Sequence, residues 1–474
     1  MKTLLTMFFA WATIAYGQDS VVANVWEGVK LHTVANPTGL WRIAVLEIDL
    51  DNPALRLEAI PANGGFRRGF ETTSSMARRA STFGALAIGA VNGDYFSLEE
   101  PDNPYSTLGN QMIAGGEWVA GHKTERSLFA VTEAGGVVFD VLQFRGFLAR
   151  GGDTLSIDAL NEKRGEDRTV LYNKYIGVST RAAGGIEAAL APIDVSKVNR
   201  PIRCVVEEID QDGDASIGDR WILSASGDRA ERLADLCAPG DTVVVLLGTN
   251  PDVGAITQAV GAGPRLVVDG APAAPLSEAE GLPAGHTDKR HPRTAIGVDR
   301  DTTTLYLLAV DGRQEGWSAG MTLVELADYM IGMGCFHAAN FDGGGSTALV
   351  VRDSVVNRPS DKTGERPVAN ALAVVAELPN LDVVERLDVS PDSIDLYEDQ
   401  FQTIDVRAID RFGYRINPRA LGVASHVFGP AYLDERYRLV PTGAGVGMVM
   451  LGSPTFREMI RFVVKPRANG GDGE

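Results

Sequence analysis

Cysteine and net positive charge are scarce in this chain, and each scarcity excludes a class of protein. The three cysteines, Cys204, Cys237 and Cys335, are too few and too scattered for a disulfide framework or a zinc site. A Cys204–Cys237 bridge stays open for an exported protein, whereas the apolar stretch around Cys335 is typical of a buried residue. Lysine and arginine total 44 against 62 acidic residues, so the net charge of −18 excludes a global basic surface for nucleic acid or anionic lipid.

The chain also lacks a long apolar run beyond its N-terminus. Lys2 is followed by apolar residues from Leu4 to Ala15, and Ala15-Tyr16-Gly17 fits a small-x-small cleavage site. This run is shorter than the roughly 20 residues that a spanning helix needs, which favours a signal peptide over residues 1–17 rather than a membrane anchor or a core strand. We therefore expect a secreted, periplasmic or cell-envelope protein without a membrane span.

The amino-acid composition is that of a globular protein with many turns. Hydrophobic residues make up 45% of the chain and glycine occurs 53 times, while the length predicts two or three packed units. Residues 18–378 form the predicted main domain. Residues 379–466 show short, evenly spaced strand signals and no helix, which predicts an Ig-like β-sandwich as an accessory domain. Residues 467–474 are predicted to be a disordered tail.

Strand and helix signals alternate along the main domain. Alternation of apolar and polar residues predicts half-buried strands, and continuous apolar runs predict buried ones. A T-x-x-E capping box formed by Thr322 and Glu325 predicts the start of a helix. The predicted strands are Trp41–Leu50, Leu55–Ile60, Ala85–Val91, Thr294–Val298, Leu305–Val310 and Ala338–Phe341.

The order strand, helix, strand ahead of Asp342 has a geometric consequence. If strands 305–310 and 338–341 are parallel, Asp311 and Asp342 follow them at the same edge of the sheet, where α/β folds place ligands. We therefore predict an α/β (mixed α+β) catalytic domain, with a twisted mixed sheet and flanking helices, plus a small C-terminal all-β sandwich.

Polar residues gather in clusters beside these strands. A D-G or N-G pair alone is an ordinary turn former, and an arginine alone is often a surface ion-pair partner. The three glycines after Asp342 differ because no common tight turn needs all three, and such a loop can present backbone N–H groups to an anion. Nearby guanidinium groups match phosphate oxygens. The clusters are Asn92-Gly93-Asp94, His291-Pro292-Arg293, Asp311-Gly312-Arg313 and Asp342-Gly343-Gly344-Gly345-Ser346-Thr347, with Glu365-Arg366 through Asn370 as a weaker fifth.

These clusters carry a resemblance to a known family. The runs HPRTAIGVD, LAVDGRQ, GMTLVELADYMIGMG and AANFDGGGSTALVV resemble the phosphodiester glycosidase family. Upstream and downstream, AVNGDYFS, GAGPRLVVDG and ERPVANAL resemble further elements of that family in the same order, over roughly residues 30–377. Asp94 stands where the family more often has glycine, and Phe341 replaces the usual leucine.

The resemblance implies an enzyme that cleaves the glycosidic C–O bond of a sugar-1-phosphodiester and releases free sugar and a phosphate monoester. Its implied substrate is an envelope or extracellular glycan, not nucleic acid. No cofactor is required, although a structural divalent cation near the carboxylates is compatible with this chemistry. The predicted catalytic residues are Asp342, Asp311, Arg293 and Arg313, and the predicted substrate-binding residues are Asn92, Asp94, Gly343, Gly344, Gly345, Ser346, Thr347, Arg366 and Asn370.

Two other functions stay open. A non-catalytic envelope polysaccharide-binding or assembly protein could keep the same fold without turnover. A phosphodiesterase that cuts the P–O bond is less favoured, because the six histidines show no His/Asp metal cluster in the sequence.

Overall fold

The computed structural model describes residues 19–36, 41–66, 69–97, 105–273, 279–281, 286–378, 384–416, 418–421, 424–434, 436–452 and 457–467. The predicted signal peptide at residues 1–17 lies outside the described residues, as does the predicted tail beyond Arg467. The chain divides into two compact units, one of Met1–Ala77 with Gly89–Val374 and the other of Arg78–Ile88 with Val375–Glu474.

Strands dominate both units. The α-helices of the described residues are α1 (Thr73–Ala80), α2 (Asp228–Leu236), α3 (Leu323–Gly332) and α4 (Pro418–Leu421). The strands up to residue 261 are β1 (Asp19–Trp26), β2 (Val29–Asn36), β3 (Trp41–Asp49), β4 (Leu55–Pro61), β5 (Ala85–Asn92), β6 (Met112–Ala114), β7 (Glu117–Ala120), β8 (Leu128–Thr132), β9 (Val137–Asp140), β10 (Gln143–Arg150), β11 (Asp153–Ile157), β12 (Ala159–Leu160), β13 (Thr169–Tyr172), β14 (Ile186–Pro192), β15 (Arg200–Asp210), β16 (Trp221–Ala225), β17 (Thr242–Asn250) and β18 (Ile256–Gly261). The later strands are β19 (Arg265–Val268), β20 (Ala271–Pro272), β21 (Arg293–Val298), β22 (Thr304–Val310), β23 (His337–Asn340), β24 (Leu349–Val351), β25 (Ser354–Val355), β26 (Asn370–Glu377), β27 (Val384–Ser390), β28 (Ser393–Tyr397), β29 (Gln402–Thr403), β30 (Asp405–Asp410), β31 (Arg415–Ile416), β32 (Ala424–Phe428), β33 (Ala431–Leu433), β34 (Arg438–Pro441), β35 (Gly445–Gly452) and β36 (Arg457–Lys465).

The secondary-structure content differs from the predicted fold class. Strand accounts for 52% of the structure and helix for 10%, so the fold is mostly β and not an α/β domain with flanking helices. The difference arises between residues 105 and 260, where short strands separated by glycine turns form most of two sheets and α2 is the only α-helix described. A strong helical pattern at α3 does not by itself imply a helical layer.

An eight-stranded sheet positions the clusters found in the sequence. Its order is β1-β2-β3-β22-β21-β23-β19-β20, and β21 pairs antiparallel with both β22 and β23. Strands β22 and β23 therefore run parallel to each other on either side of β21. The chain leaves both strands at the same edge of the sheet, and β21 begins at that edge.

Helix α3 covers one face of this sheet through the apolar stripe that the sequence predicts. Its buried residues are Leu323, Leu326, Ala327 and Met330, which share a core cluster with residues of β21 and β22. The capping box is confirmed: the Thr322 hydroxyl accepts the Glu325 N–H at 3.1 Å, and the Glu325 carboxylate accepts the Thr322 N–H at 2.9 Å.

Three further sheets lie wholly or mostly in the first unit. A second eight-stranded sheet has the order β11-β10-β17-β15-β14-β16-β13-β12, and two five-stranded sheets have the orders β7-β6-β18-β8-β9 and β25-β24-β5-β26-β4. Strand β5 is buried along its whole length, so its continuous apolar sequence reflects packing on both faces.

The second unit contains small sheets and the short helix α4. Its sheets have the orders β27-β30-β31, β28-β36-β35-β32 and β29-β34-β33, around a core that includes Ile394, Val449 and Phe462. The assignment of residues 379–466 as Ig-like stays a prediction. All three cysteines are buried and free, so no Cys204–Cys237 bridge forms. None of the helices described is long and apolar enough to cross a membrane.

Candidate active site

Three of the predicted site residues meet at one sheet edge because of strand direction. Arg293 is the first residue of β21 and pairs with Val310, the last residue of β22. Asp311 follows β22 directly, and Asp342 follows β23 by two residues. The antiparallel arrangement therefore brings together residues that are up to 49 positions apart in the sequence.

Asn92 connects this edge to the end of β5. Its side-chain amide donates to the Asp342 carbonyl at 2.7 Å, and its carbonyl oxygen accepts the Thr294 hydroxyl at 2.7 Å and the Ala348 N–H at 3.1 Å. Asn92 is fully buried. The side chain predicted to bind substrate therefore holds the backbone of Asp342 in place.

The three glycines Gly343–Gly345 permit three close approaches. A Cβ on the first would lie 2.7 Å from the Pro292 carbonyl oxygen, and one on the second would lie 3.1 Å from Nη1 of Arg313. A Cβ on the third would lie 2.5 Å from Cζ of Arg366. Two guanidinium groups can therefore pack against the turn backbone only because side chains are missing there.

The backbone N–H groups of this turn are largely used within the protein. The Gly344 N–H donates to the Pro292 carbonyl at 2.9 Å, the Ser346 N–H to Gly343 at 3.2 Å, and the Thr347 N–H to Gly344 at 3.3 Å. The turn thus differs from the predicted anion nest, because most of its donors already have acceptors. Its role in substrate binding stays a prediction.

Asp342 is partly buried as a residue. Burial raises the pKa of Asp342 to about 6, against the opposing influence of the Ser346 hydroxyl and of the Arg366 and Arg126 guanidinium groups. A carboxyl with this pKa changes protonation close to neutral pH, which is the property expected of an acid, base or nucleophile.

Two arginines flank the glycine turn with different partners. Arg366 directs Nε and Nη2 to one oxygen of Asp361, at 2.7 and 2.6 Å. Arg313, in the left-handed region with φ +57°, donates from Nε and Nη2 to Nδ1 of His291 at 3.2 and 3.1 Å. In the part of the chain that the structure describes, Arg313 has no carboxylate partner.

Arg126 is a site residue that sequence reasoning missed. Its guanidinium carbon lies 5.0 Å from the ring centre of Tyr95, and Gly109 leaves room for its Nη1. Among the described residues this guanidinium has no ion-pair partner, yet it acts electrostatically on the carboxyls of both Asp94 and Asp342. It stands in the sequence TERS without any motif, so no pattern indicated it.

Tyr95 was also missed, although it belongs to the quoted AVNGDYFS run. Its hydroxyl accepts the Asn340 amide at 2.7 Å, donates to the Gly263 carbonyl at 3.1 Å, and lies 3.3 Å from Nε2 of His286. Burial, reinforced by the Asp342 charge, raises the pKa of Tyr95. The phenol is therefore neutral at physiological pH, and its one proton is donated to the Gly263 carbonyl.

Arg293 is held more tightly than a free phosphate clamp would be. It is fully buried, and it donates from Nε to Met321 at 2.9 Å and from Nη2 to the carbonyls of His286 and Lys289 at 2.7 and 2.9 Å. Nη1 lies 3.3 Å from Nε2 of His286. Burial lowers the pKa of Arg293 to about 10, so the group stays charged and contributes a fixed positive potential.

The two neighbouring histidines are affected first by burial and then by the arginine charges. Burial first, then Arg293, lowers the pKa of His286 to about 4; burial first, then Arg313, lowers the pKa of His291 to about 4. Both imidazoles are therefore neutral at pH 7. A positive local field in a chain of net charge −18 identifies a place suited to an anion.

Asp94 and Asn370 occupy an adjoining buried position. The Asn370 side-chain oxygen accepts the Asp94 N–H at 2.8 Å, and one Asp94 carboxylate oxygen accepts the Asn110 N–H at 2.8 Å. The other Asp94 oxygen has no hydrogen-bond partner among the residues that the structure describes. Burial raises the pKa of Asp94 to about 7, with Arg126 and His122 opposing.

Asp311 lies at the predicted edge, but its carboxylate is committed to structural contacts. One oxygen accepts the Trp317 indole N–H at 2.7 Å, and the other accepts the Asn357 amide at 3.2 Å and the Arg358 N–H at 2.8 Å. Burial raises the pKa of Asp311. These contacts are those of a loop-positioning residue, and the catalytic role of Asp311 stays a prediction.

Further buried polar atoms around the site lack partners within the described chain. They are Oγ1 of Thr287, Oδ1 of Asn340 and Oγ1 of Thr347. Because buried polar atoms are normally hydrogen-bonded, these groups are candidates for substrate contacts. No group of three or more His, Cys, Asp or Glu residues in the described part of the chain is arranged to hold a metal ion.

Comparison with known proteins identifies a family match in this part of the chain. Residues 207–375 match the family model described as phosphodiester glycosidase. The resemblance to the phosphodiester glycosidase family is confirmed. The match includes the Arg293, Arg313, Asp342 and Arg366 segments of this phosphodiester glycosidase-like region, whereas Asn92, Asp94 and Arg126 precede it.

Individual relatives are similar over shorter or more divergent stretches. A segment of 69 residues is 41% identical to the N-acetylglucosamine-1-phosphodiester alpha-N-acetylglucosaminidase of Bos taurus, covering 15% of this chain and 12% of the bovine protein. A crystal structure of a hypothetical protein from Synechocystis has a TM-score of 0.60 at 22% identity, covering 76% of this chain and 64% of that one. A protein from Burkholderia pseudomallei K96243 assigned as exported has a TM-score of 0.54 at 24% identity, covering 73% and 76%. These structural likenesses concern the fold alone.

Proposed function

We propose that this chain hydrolyses the glycosidic C–O bond of a sugar-1-phosphodiester and releases free sugar and a phosphate monoester. The observation that carries the proposal is that Arg126 and Arg366 act electrostatically on the Asp342 carboxyl, while Arg313 packs on the nearby Gly344. The pKa of Asp342, about 6, leaves this carboxyl mainly ionised at pH 7. The family match supports the same reaction class.

The chemistry needs these groups in this arrangement. Cleavage of an anomeric C–O bond develops oxocarbenium character on the sugar, which a carboxylate stabilises or traps. The leaving phosphate monoester has a second pKa of about 6 and departs as an anion, so a strong general acid is less necessary. Fixed guanidinium groups stabilise the charge that develops on the phosphate.

We assign Asp342 as the base or nucleophile and Arg313 and Arg366 as the phosphate contacts. Arg126 extends the same positive surface, and Arg293 supplies a fixed charge while it positions the loop that carries His286. Asn92 positions Asp342 through its backbone carbonyl. An exported protein that acts on envelope or extracellular glycans fits the N-terminal sequence pattern.

The decisive experiment identifies the bond that breaks. Purified protein is incubated with a panel of sugar-1-phosphodiesters in oxygen-18 water, and both products are analysed by mass spectrometry. Cleavage of the C–O bond places the label on the sugar. Label on the phosphate would mean P–O cleavage, and binding without turnover across the panel would favour the polysaccharide-binding alternative.

A further inference from the structure

Three aromatic rings form a row along the candidate active site. The ring centres of Tyr95 and His286 lie 5.9 Å apart, and those of His286 and His291 lie 6.2 Å apart. The reaction proposed above gives His291 no role. The position of the proton on each imidazole follows from the arginine that contacts it.

Both ends of this row are tied to the chain beside Asp342. At one end, the phenol hydroxyl accepts the Asn340 amide at 2.7 Å. At the other end, His291 accepts from the guanidinium of Arg313, which packs on Gly344. Asn340 and Gly344 each stand two residues from Asp342, and two residues span at most about 7 Å. The row therefore borders the turn that carries Asp342.

Arg313 determines which nitrogen of His291 carries the proton. Its Nε and Nη2 lie 3.2 and 3.1 Å from Nδ1 of the imidazole. A guanidinium has only donors, so Nδ1 must accept and carries no proton. Because the pKa of His291 is about 4, the ring is neutral at pH 7 and its single proton is on Nε2. Among the residues that the structure describes, none accepts this Nε2–H.

The same reasoning gives His286 the opposite tautomer. Its Nε2 lies 3.3 Å from Nη1 of Arg293 and 3.3 Å from the Tyr95 hydroxyl. Since Arg293 can only donate, Nε2 accepts. The pKa of His286, about 4, leaves this ring neutral as well, so its proton is on Nδ1. The two imidazoles thus differ in a property that can be measured without turnover.

The backbone of His291 is also fixed. Its N–H donates to the Met321 carbonyl at 3.1 Å, and its carbonyl accepts the Met321 N–H at 3.0 Å. Gly320, with φ +88°, permits this approach, because a Cβ there would lie 2.3 Å from the His291 carbonyl oxygen. The imidazole is therefore restrained at its backbone and at Nδ1. The positive charge beside Nδ1 polarises the ring and strengthens Nε2–H as a donor.

We propose that His291 is a substrate-binding residue that donates its Nε2–H to the phosphodiester of the substrate. This inference rests on the proposed function, because it adds a second contact to the phosphate that Arg313 is assigned to bind. A neutral donor polarised by a guanidinium stabilises an anionic oxygen without placing a further charge in the site. Arg313 then acts on the phosphate both directly and through His291.

The kinetic test compares His291→Gln with His291→Asn. The glutamine amide can occupy the place of Nε2 and keep a donor there, whereas the shorter asparagine replaces only Nδ1, which accepts from Arg313. For a sugar-1-phosphodiester, we expect kcat/KM to fall about tenfold in His291→Asn and at most about threefold in His291→Gln. Equal losses in the two variants would assign His291 a structural role and overturn the proposal.

His426→Asn is the matched control for these variants. His426 is exposed and belongs to the second unit, so this substitution should leave kcat/KM unchanged. Thermal unfolding of all three variants verifies that each remains folded.

An NMR measurement on nitrogen-15-labelled histidine tests the tautomers directly. We expect the proton of His291 on Nε2 and that of His286 on Nδ1. Arg313→Met should remove the preference at His291, whereas Arg145→Met, at an exposed position of β10, should not. Added inorganic phosphate should shift the Nε2–H signal of His291 in the unaltered protein. A proton on Nδ1 of His291, or an Nε2–H signal that phosphate leaves unchanged, would overturn the proposal.

Failure of the proposed function gives a different result. Absence of turnover by the unaltered protein across the panel of sugar-1-phosphodiesters would overturn the proposed reaction. The response of the His291 Nε2–H signal to inorganic phosphate then decides the inference by itself: a shift supports His291 as a donor to a phosphate group, and an unchanged signal excludes it.

Discussion

The guanidinium of Arg366 packs on Gly345 so closely that a Cβ at this glycine would lie 2.5 Å from Cζ of the arginine. Its Nε is held by Asp361 at 2.7 Å, so the arginine is restrained on both sides. The glycine therefore defines where a positive charge stands beside Asp342.

Gly345→Ala should displace Arg366, because the new Cβ would occupy the space in which the guanidinium packs. We expect kcat/KM to fall by at least tenfold, since a proposed phosphate contact moves with the arginine. Steady-state kinetics on a sugar-1-phosphodiester measures the effect. Gly165→Ala serves as control, since the nearest atom to a Cβ there lies at 3.4 Å. Equal kinetics in the two variants would remove Arg366 from its assigned role.

Asp342→Asn should lower kcat by three or more orders of magnitude while the protein stays folded, as expected for a base or nucleophile. In the unaltered enzyme, activity should fall as pH drops through about 6, because the carboxylate becomes protonated at its raised pKa. A pH–rate profile and circular dichroism test both statements. Near-normal turnover by the folded variant would exclude Asp342 from catalysis.

The raised pKa of Asp94 predicts a pH dependence of the free energy of unfolding. Because its pKa in the folded protein is raised to about 7, the folded state binds its proton more strongly than the unfolded state does. The stability contributed by the neutral carboxyl is present at low pH and is lost as pH rises from about 4 through 7. The Asn side chain does not titrate, so Asp94→Asn does not lose this contribution as pH rises. The free energy of unfolding of Asp94→Asn, relative to that of the unaltered protein, should therefore increase over this range by a few kcal/mol in total.

Chemical denaturation at pH 4 and pH 8 measures this difference. The exposed substitution Asp212→Asn is the control and should show no comparable trend. If the difference between Asp94→Asn and the unaltered protein is the same at both pH values, the side chain is not buried as a neutral acid.

Arg313 should be detectable through its neighbour. Burial, then Arg313, holds the pKa of His291 at about 4, so Arg313→Met should raise it toward the ordinary value of 6.5. With six histidines in the chain, an NMR titration can follow the signal, assigned by its loss in His291→Gln. Arg145→Met should leave the titration unchanged. An unshifted pKa of His291 in Arg313→Met would show that the Arg313 charge does not act on this imidazole and that burial or another charge lowers its pKa.

Arg313→Met should also weaken the binding of phosphate. The Arg313 guanidinium donates only to His291 Nδ1 in the described structure, so its removal leaves no buried carboxylate unpaired. We therefore expect inhibition by inorganic phosphate to weaken about tenfold, without loss of thermal stability. Unchanged inhibition would argue against Arg313 as a phosphate contact.

Local sequence determined much of the framework around the site. Period-2 alternation and apolar runs located β3, β5, β21, β22 and β23 to within one or two residues. This was possible because a buried strand face requires apolar side chains at alternating positions, and a strand buried on both faces requires them at successive positions. The T-x-x-E box located α3 since its hydrogen bonds join residues three apart. The glycine turn was recognisable because close packing of other groups requires the absence of side chains.

Only the tertiary structure decided which polar groups meet. Arg126 and Tyr95 come together through an aromatic contact across 31 positions, and no short-range pattern encodes it. Asp311 stands at the edge that strand order predicted, yet its carboxylate is directed by Trp317, Asn357 and Arg358. The direction of a side chain after a strand depends on partners distant in sequence, and so do its pKa and its role.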